Sequence, residues 1–157
     1  MTEHYQIASK SNPDSAGLTV NVLPQGASIS GITVHLADRS TDVVLGYSST
    51  KDYSSDPFYM GSTVGPVANR LRDGKFSIAS ESFAIDVNEL ERANLLHGGA
   101  KGLHQQTFEP APSHDGHALA FSLELAHLED GFPGDRTITV RYVLVDPLSL
   151  QIDFFAT

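Results

Sequence analysis

The strongest constraint on the fold is a two-residue alternation of apolar and polar or small side chains that recurs along the chain. It is clearest at residues 119–125, where Leu or Phe occupies every second position and Ala, Ser and Glu lie between them. Successive side chains of a strand point to opposite faces, so the pattern predicts a strand with one face in the core. Similar patterns predict further strands at residues 18–22, 32–36, 42–45, 137–145 and 150–155.

Turn-forming residues separate these segments. Residues 129–135 and 146–149 are rich in Gly, Pro and Asp, and two short apolar segments around residues 79–82 form a hairpin pattern. The two helix candidates, residues 51–58 and 88–93, are short and do not sustain a 3.6-residue repeat. Short strands joined by such turns predict an all-β fold, an antiparallel β-sandwich.

The chain has 157 residues, of which 40% are hydrophobic, so we expect residues 1–157 to form one domain. Residues 9–17 combine Ser, Asn, Pro, Asp and Gly without periodicity. We therefore expect residues 1–17 to be a flexible lead-in and the ordered body to begin near Leu18.

Charge and composition limit the partners. The chain carries 19 Asp and Glu against 10 Lys and Arg, a net charge of −9, which repels nucleic acid and anionic membrane surfaces. The absence of cysteine removes disulfides and thiolate chemistry. Without a signal-peptide pattern or an apolar stretch approaching ~20 residues, the sequence predicts a cytoplasmic protein with no membrane or nucleic-acid partner.

Three polar residues between the strand pairs are candidates for a site. Asn69 and Arg70 offer an amide and a guanidinium fork that suit sugar hydroxyls, and His97 can donate or accept near neutral pH. Gly98 and Gly99 permit a sharp turn close to a ligand. The alternative is that Arg70 is a surface ion-pair partner, His97 a hydrogen-bonded residue at a strand end, and the glycines plain turn formers.

Six segments in a fixed order resemble the N-terminal half of the aldose 1-epimerase (galactose mutarotase) family, with an Asn-Glu pair at residues 88–89 also in place. They are Asp-Val-Val-Leu-Gly-Tyr at 42–47, Gly-Pro-Val-Ala-Asn-Arg at 65–70, Asp-Gly-Lys-Phe at 73–76, Leu-His-Gly-Gly-Ala-Lys-Gly at 96–102, Gly-Phe-Pro-Gly at 131–134 and Thr-Val-Arg-Tyr at 139–142. Each segment alone is a weak signal. Their order and spacing across most of the chain carry the resemblance.

The resemblance implies a galactose-mutarotase-like β-supersandwich with an open cleft and no metal or organic cofactor. It implies that Asn69 and Arg70 bind the hydroxyls of an aldohexose such as galactose or glucose, and that His97 lies near the ring oxygen or the anomeric carbon. The α and β anomers would interconvert by acid and base catalysis of ring opening. Arg70 and His97 would be the catalytic groups of this chain, stabilising charge that develops on oxygen.

The sequence also departs from the family. The family's general acid is a His in an Asn-His-x-Tyr/Phe-Phe segment and its general base is a Glu near the C-terminus, and the 157 residues contain neither segment. We therefore expect a sandwich that is incomplete at its C-terminus. A non-catalytic carbohydrate-binding module and a purely structural β-domain are the alternatives. Residues 103–106, Leu-His-Gln-Gln, replace the usual aromatic and acidic pair, which bears on the shape of the cleft.

The remaining histidines give no stronger signal. His114 and His117 are spaced like a metal pair but lie in a turn-forming segment without a third ligand, and we interpret this segment as a solvated loop. His104 either reaches the cleft or is an exposed loop residue.

The incomplete sandwich also predicts an exposed apolar surface. If absent sequence normally covers Leu119, Phe121, Ile138 and Val140, the isolated chain would expose an apolar sheet face and form a homo-oligomer.

Overall fold

Strands dominate the structure, a computed structural model that describes residues 4–9, 15–113 and 115–157. Among these residues, twelve strands and three 3₁₀ helices are present. The 3₁₀ helices are Thr50–Ser55, Leu90–Arg92 and Leu103–Gln105. The strands are β1 (Tyr5–Ala8), β2 (Gly17–Leu23), β3 (Ser28–His35), β4 (Ser40–Asp42), β5 (Arg70–Arg72), β6 (Lys75–Ile78), β7 (Glu81–Ala84), β8 (Asn94–Leu96), β9 (Glu109–Pro112), β10 (Ala118–Leu125), β11 (Arg136–Asp146) and β12 (Ser149–Ala156).

Two four-stranded antiparallel sheets form the sandwich. One has the order β1-β2-β3-β4 and the other has the order β12-β11-β10-β9. Two two-stranded ribbons, β5-β8 and β6-β7, are formed by the chain that connects the sheets. The prediction of an all-β antiparallel sandwich is confirmed.

The core lies between the two sheets, where the alternating apolar faces meet. Strand β2 contributes Val20 and Val22, which are both fully buried, and Phe121 of β10 is fully buried as well. The ring of Phe121 lies edge-on to that of Tyr5 in β1 at 5.9 Å and to that of Tyr142 in β11 at 6.3 Å. The alternation in residues 119–125 and 137–145 therefore identified the buried faces of β10 and β11 correctly.

A buried hydrogen bond joins the two sheets. The hydroxyl of Tyr142 in β11 donates to the backbone carbonyl of Ala27, the residue before β3. Burial raises the pKa of the Tyr142 hydroxyl, so it stays protonated and remains a donor. The bond fixes the distance between the sheets at a point where both partners are buried.

The expectation of a flexible lead-in is wrong for residues 5–8. These residues form β1 and pair with β2 in the register Tyr5 to Val22 through Ala8 to Thr19. Ile7 is only 2% exposed, so burial of its side chain in the core holds the strand in place. Residues 1–3 and 10–14 lie outside the described part of the chain.

The strand predicted at residues 42–45 is also wrong in its bounds. Strand β4 ends at Asp42, and the side chains of Val43 and Leu45 are 56% and 80% exposed. The helix candidates at residues 51–58 and 88–93 prove to be shorter 3₁₀ helices. Their brevity agrees with the lack of a sustained helical repeat.

The apolar face expected to be uncovered is covered. Leu119, Phe121, Ile138 and Val140 are no more than 8% exposed, because the first sheet packs on them. Exposed apolar side chains of this sheet include Phe154 of its edge strand β12, at 63%, and Val145 near the end of β11, at 55%. The homo-oligomer remains a prediction.

A buried ion pair shapes the turn between β10 and β11. The side chain of Asp130 is fully buried and accepts from Arg136 at 2.7 Å and from the Phe132 backbone N–H at 3.1 Å. The Phe132 ring stacks on that of Phe76 in β6 at 5.4 Å, and Phe76 stacks on Phe83 in β7 at 5.3 Å. The second sheet thereby contacts the ribbon β6-β7.

His104 is buried, at 7% exposure, in the third 3₁₀ helix. Its Nδ1 atom is buried and has no hydrogen-bond partner among the described residues. Burial lowers the pKa of His104, and the neighbouring His97 lowers it further. Of the two alternatives left by the sequence, the exposed loop histidine is therefore wrong. No helix in the described part of the chain is long and apolar enough to cross a membrane.

We expect the substitution Tyr142→Phe to lower the free energy of unfolding by about 1–3 kcal/mol, because it leaves the buried Ala27 carbonyl without its donor. Urea denaturation followed by far-UV circular dichroism measures the change. A variant as stable as the wild type would contradict the role of this bond.

We expect the free energy of unfolding to fall as the pH drops below about 6.5, the ordinary pKa of histidine, because the unfolded state then protonates His104 while the folded state resists it. The variant His104→Gln should lose less stability between pH 7 and pH 5 than the wild type. His117→Gln, at a half-buried position in the turn before β10, is the control. Equal slopes for wild type and His104→Gln would disprove this assignment.

Candidate functional site

Antiparallel pairing of β5 and β8 brings the predicted residues Asn69, Arg70 and His97 together. Arg70 opens β5 opposite Leu96, the last residue of β8. The next pair along this ribbon is therefore Asn69 with His97. The His97 backbone N–H donates to the Asn69 carbonyl at 3.0 Å, and the Asn69 backbone N–H donates to Nδ1 of His97 at 3.0 Å.

The local backbone is folded tightly around this pair. Asn69 and His97 both adopt positive φ angles, 67° and 53°, which are uncommon for residues other than glycine. Gly98 follows with φ 84°, and a Cβ atom at this position would collide with the backbone carbonyl oxygen of Gly65. Only glycine therefore fits at position 98, where two backbone segments touch.

Asn88 holds the end of β8 in place. Its side-chain oxygen accepts from the Leu96 backbone N–H at 2.7 Å, and its amide nitrogen donates to the Leu96 carbonyl at 3.1 Å. The Asn88 side chain thus pairs with both backbone groups of Leu96, as a neighbouring strand would. The position of His97 is therefore fixed from two sides.

The hydrogen bond from Asn69 determines the tautomer of His97. Because Nδ1 accepts a hydrogen bond from the Asn69 backbone N–H, the neutral ring carries its proton on Nε2. Nε2 has no partner among the residues that the structure describes, and the side chain is half-buried. His97 therefore presents an N–H donor that a ligand oxygen can accept.

Arg70 is held by a carboxylate on the neighbouring chain segment. Its Nε donates to Oε2 of Glu89 at 2.8 Å and its Nη2 donates to Oε1 at 2.7 Å, a bidentate pair. Its Nη1 donates to the side-chain oxygen of Asn69 at 3.1 Å. The hydrogen bond from Arg70, with a second from Asn94, lowers the pKa of Glu89 to about 2, and Glu89 in turn raises the pKa of Arg70.

An aromatic residue links two histidines beside this ion pair. The ring of Tyr59 lies edge-on to the rings of both His97 and His104, with centroids 4.7 Å apart in each case. Tyr59 has φ 57°, so its backbone is also in the left-handed region. The ring packs against one side of His97 and separates it from the buried His104.

Sequence reasoning missed the roles of Glu89 and Tyr59. Glu89 belongs to the Asn-Glu segment at residues 88–89, but an acidic residue in a short loop gives no signal that it pairs with an arginine nineteen positions earlier. Tyr59 lies in a Pro/Gly-containing loop and had no periodic or motif signal. The contacts of both residues depend on how separate loops approach each other.

In the part of the chain that the structure describes, no three His, Asp or Glu side chains are placed to bind a metal ion together. His114 lies outside the described residues, and so does that part of the 114–117 segment interpreted as a solvated loop. The neighbouring side chains of Asn69, Arg70 and His97 offer hydrogen-bond donors. Such a set suits a ligand rich in oxygen atoms.

Comparison with known proteins identifies relatives of this arrangement and fold. The family model for aldose 1-epimerase matches residues 11–157. The chain is 32% identical over 128 residues to a galactose mutarotase of Sus scrofa and 28% identical over 145 residues to an aldose 1-epimerase of Escherichia coli. A solved structure of a GalM/aldose epimerase homologue from C. elegans is similar over 100% of the chain, with 30% identity and a TM-score of 0.86.

The matches cover most of this chain but less than half of each relative. They take in 81% of the chain and 36% of the Sus scrofa protein, 92% and 41% for the Escherichia coli protein, and 46% of the C. elegans structure. The all-β sandwich is therefore the galactose-mutarotase-like fold over the part that is shared. On the match to residues 11–157, this chain belongs to the aldose 1-epimerase family.

Proposed function

We propose that this chain supplies the sugar-binding side of an aldose 1-epimerase that interconverts the α and β anomers of an aldohexose such as galactose or glucose. The observation that carries the proposal is that Asn69, Arg70 and His97 are neighbours at one end of a ribbon and each keeps hydrogen-bond donors that no described residue is shown to use. Family membership supports the choice of a sugar as the ligand.

The donor count favours a ligand with several neighbouring oxygens. A guanidinium has five N–H groups, and Arg70 uses three of them on Glu89 and Asn69. Two N–H groups of Arg70 and the Nε2–H of His97 are therefore left for a ligand. Because Asn69 accepts from Arg70 through its oxygen, its amide N–H₂ group is available as well.

These donors have a role in ring opening. A base removes the proton of the anomeric hydroxyl, the bond between the anomeric carbon and the ring oxygen breaks, and an acid protonates the ring oxygen. The aldehyde then closes again on either face. Negative charge grows on the sugar oxygens in this step, and fixed N–H donors of Arg70 and His97 stabilise it without reorganising.

His97 is better suited to donate a hydrogen bond than to remove a proton. Its Nδ1 already accepts from the Asn69 backbone, and Nε2 carries the proton of the neutral ring. The general acid and base of the family resemblance are a His and a Glu in segments that these 157 residues do not contain. We therefore assign substrate binding and charge stabilisation, not the two proton transfers, to the residues of this chain.

A non-catalytic carbohydrate-binding module is the second candidate. The same three residues would bind sugar in that case, and the engagement of Nδ1 of His97 favours it. The two candidates differ only in whether anomer exchange is accelerated. Both need proton donors and acceptors alone, so neither calls for a metal or an organic cofactor.

The proposed function also suggests the partners, location and assembly of the protein. A monosaccharide is the expected partner, and a net charge of −9 disfavours nucleic acid and anionic membranes. We keep the cytoplasm as the proposed location. The exposed Phe154 and Phe155 on the edge strand β12 are the features that favour a homo-oligomer.

We expect Arg70→Lys and His97→Ala each to weaken galactose binding about tenfold or more, because each removes a donor to the sugar. Titration of the protein with D-galactose, followed by chemical shifts in ¹H–¹⁵N spectra, measures the dissociation constant. His117→Ala, a half-buried residue in the turn before β10 and outside the site, should bind like the wild type. Unchanged binding in both site variants would remove these residues from the site.

Optical rotation shows whether this chain itself accelerates anomer exchange. If crystalline α-D-galactose dissolved with the chain reaches its equilibrium rotation faster than in buffer, and Arg70→Lys and His97→Ala reduce that rate, the chain is an epimerase whose acid and base are other residues of these 157. A rate equal to that of buffer, with galactose binding retained, would remove catalysis from these 157 residues and leave sugar binding as their role. A fast rate that neither substitution reduces would exclude Arg70 and His97 from the chemistry.

A further inference from the structure

The Arg70 guanidinium has one edge occupied by a carboxylate and keeps unused N–H groups on its two terminal nitrogens. Nε and Nη2, which lie along the same edge, both donate to the carboxylate of Glu89 at 2.8 and 2.7 Å. Nη1 donates once, to Asn69 at 3.1 Å. The N–H groups that remain are one on Nη1 and one on Nη2, so the open donors belong to two neighbouring nitrogens.

We propose that Glu89 is a positioning residue that sets the orientation of Arg70, so that these two remaining N–H groups meet a pair of neighbouring sugar oxygens. The inference rests on the proposed sugar-binding function and adds to it a residue that makes no contact with the sugar. A planar fork held by two hydrogen bonds along one edge cannot turn while both bonds are intact.

Glu89 is itself held in place. Its Oε2 accepts from the side-chain amide of Asn94 at 2.9 Å, and Nη1 of Arg92 lies 3.7 Å from Oε1. Its backbone exchanges two hydrogen bonds with Asn94, at 3.0 and 3.3 Å. Asn94 is the first residue of β8, the strand that ends immediately before His97. The carboxylate that orients Arg70 is therefore fixed to the same strand that carries His97.

Stability alone does not account for every feature of the ion pair. The Arg70 side chain is 40% exposed and that of Glu89 is 20% exposed, so solvent screening reduces what this bidentate pair contributes to the free energy of unfolding. Ordering two long side chains also costs conformational entropy. A second role explains the arrangement: the ion pair gives the unused N–H groups of Arg70 a defined direction. Ligand-binding residues in other sites are oriented in the same way by residues behind them that do not contact the ligand.

The carboxylate chemistry is specific. A glutamine at position 89 would have nearly the same shape but would replace one acceptor oxygen with an N–H₂ group that faces the donors of Arg70. One of the two bonds would be lost and the guanidinium would be free to turn. Since the pKa of Glu89 is about 2, the wild-type carboxylate is charged across the range in which sugar binding is measured.

The test compares Glu89→Gln with the control Glu91→Gln, which makes the same chemical change two residues away. The side chain of Glu91 is exposed and forms no ion pair in the described structure. D-galactose is the titrant, and the full chain is used. We expect Glu89→Gln to weaken galactose binding about tenfold, which is typical when a residue that orients a ligand-binding side chain is lost. We expect Glu91→Gln to have no effect on binding. The melting temperature of each variant reports whether it is folded.

A double-mutant cycle shows whether Glu89 acts through Arg70. In an Arg70→Ala background, Glu89→Gln should produce no further loss of binding, because there is no guanidinium left to orient. The same tenfold loss in both backgrounds would overturn the proposal, as would wild-type affinity in the Glu89→Gln single variant.

A readout without sugar keeps this proposal separate from the proposed function. The Nε–H signal of Arg70 in ¹H–¹⁵N spectra of the free protein should be sharp and protected from exchange in the wild type, and should broaden or shift in Glu89→Gln. A wild type that does not bind galactose would overturn the proposed function. A Nε–H signal that is unchanged in Glu89→Gln would overturn the positioning role, whichever way the titration falls.

Discussion

Burial of the facing apolar surfaces of the two sheets is the constraint on which the rest of the structure depends. Val20 and Val22 in β2 and Phe121 and Val140 in the second sheet are fully buried, and each occupies an alternate position of its strand. A shift of any of these strands by one residue would turn its apolar side chains to solvent. The register is therefore fixed, and so are the points at which the connecting chain leaves one sheet and enters the other.

The candidate site is built on that connecting chain, outside the core. Its order comes from backbone geometry: a two-stranded ribbon places Asn69 beside His97, and both residues adopt positive φ angles. The close approach of Gly98 to Gly65 joins two loops. A rigid sandwich with polar residues on well-anchored loops is a common arrangement for binding sites.

Period-two patterns predicted β2, β10 and β11 because each of these strands buries one face. The chemistry of Asn69, Arg70 and His97, together with the family resemblance, identified these three residues as site candidates. The same reasoning missed β1, whose four residues are too few to display a period, and placed a strand at Val43 and Leu45, where apolar side chains are exposed. It also could not find the contacts of Glu89 and Tyr59. Those contacts depend on tertiary approach between loops, which no local pattern encodes.

The pairing of Arg70 with Glu89 bears on which sugars the site can prefer. A lone guanidinium would attract anions, but here its charge is balanced by a carboxylate that remains ionised far below neutral pH. The chain as a whole carries a net charge of −9. If the proposed site binds sugar, a phosphorylated sugar would gain little from Arg70 and would be repelled at long range, so we expect the electrostatics to favour an uncharged sugar before any single hydroxyl is recognised.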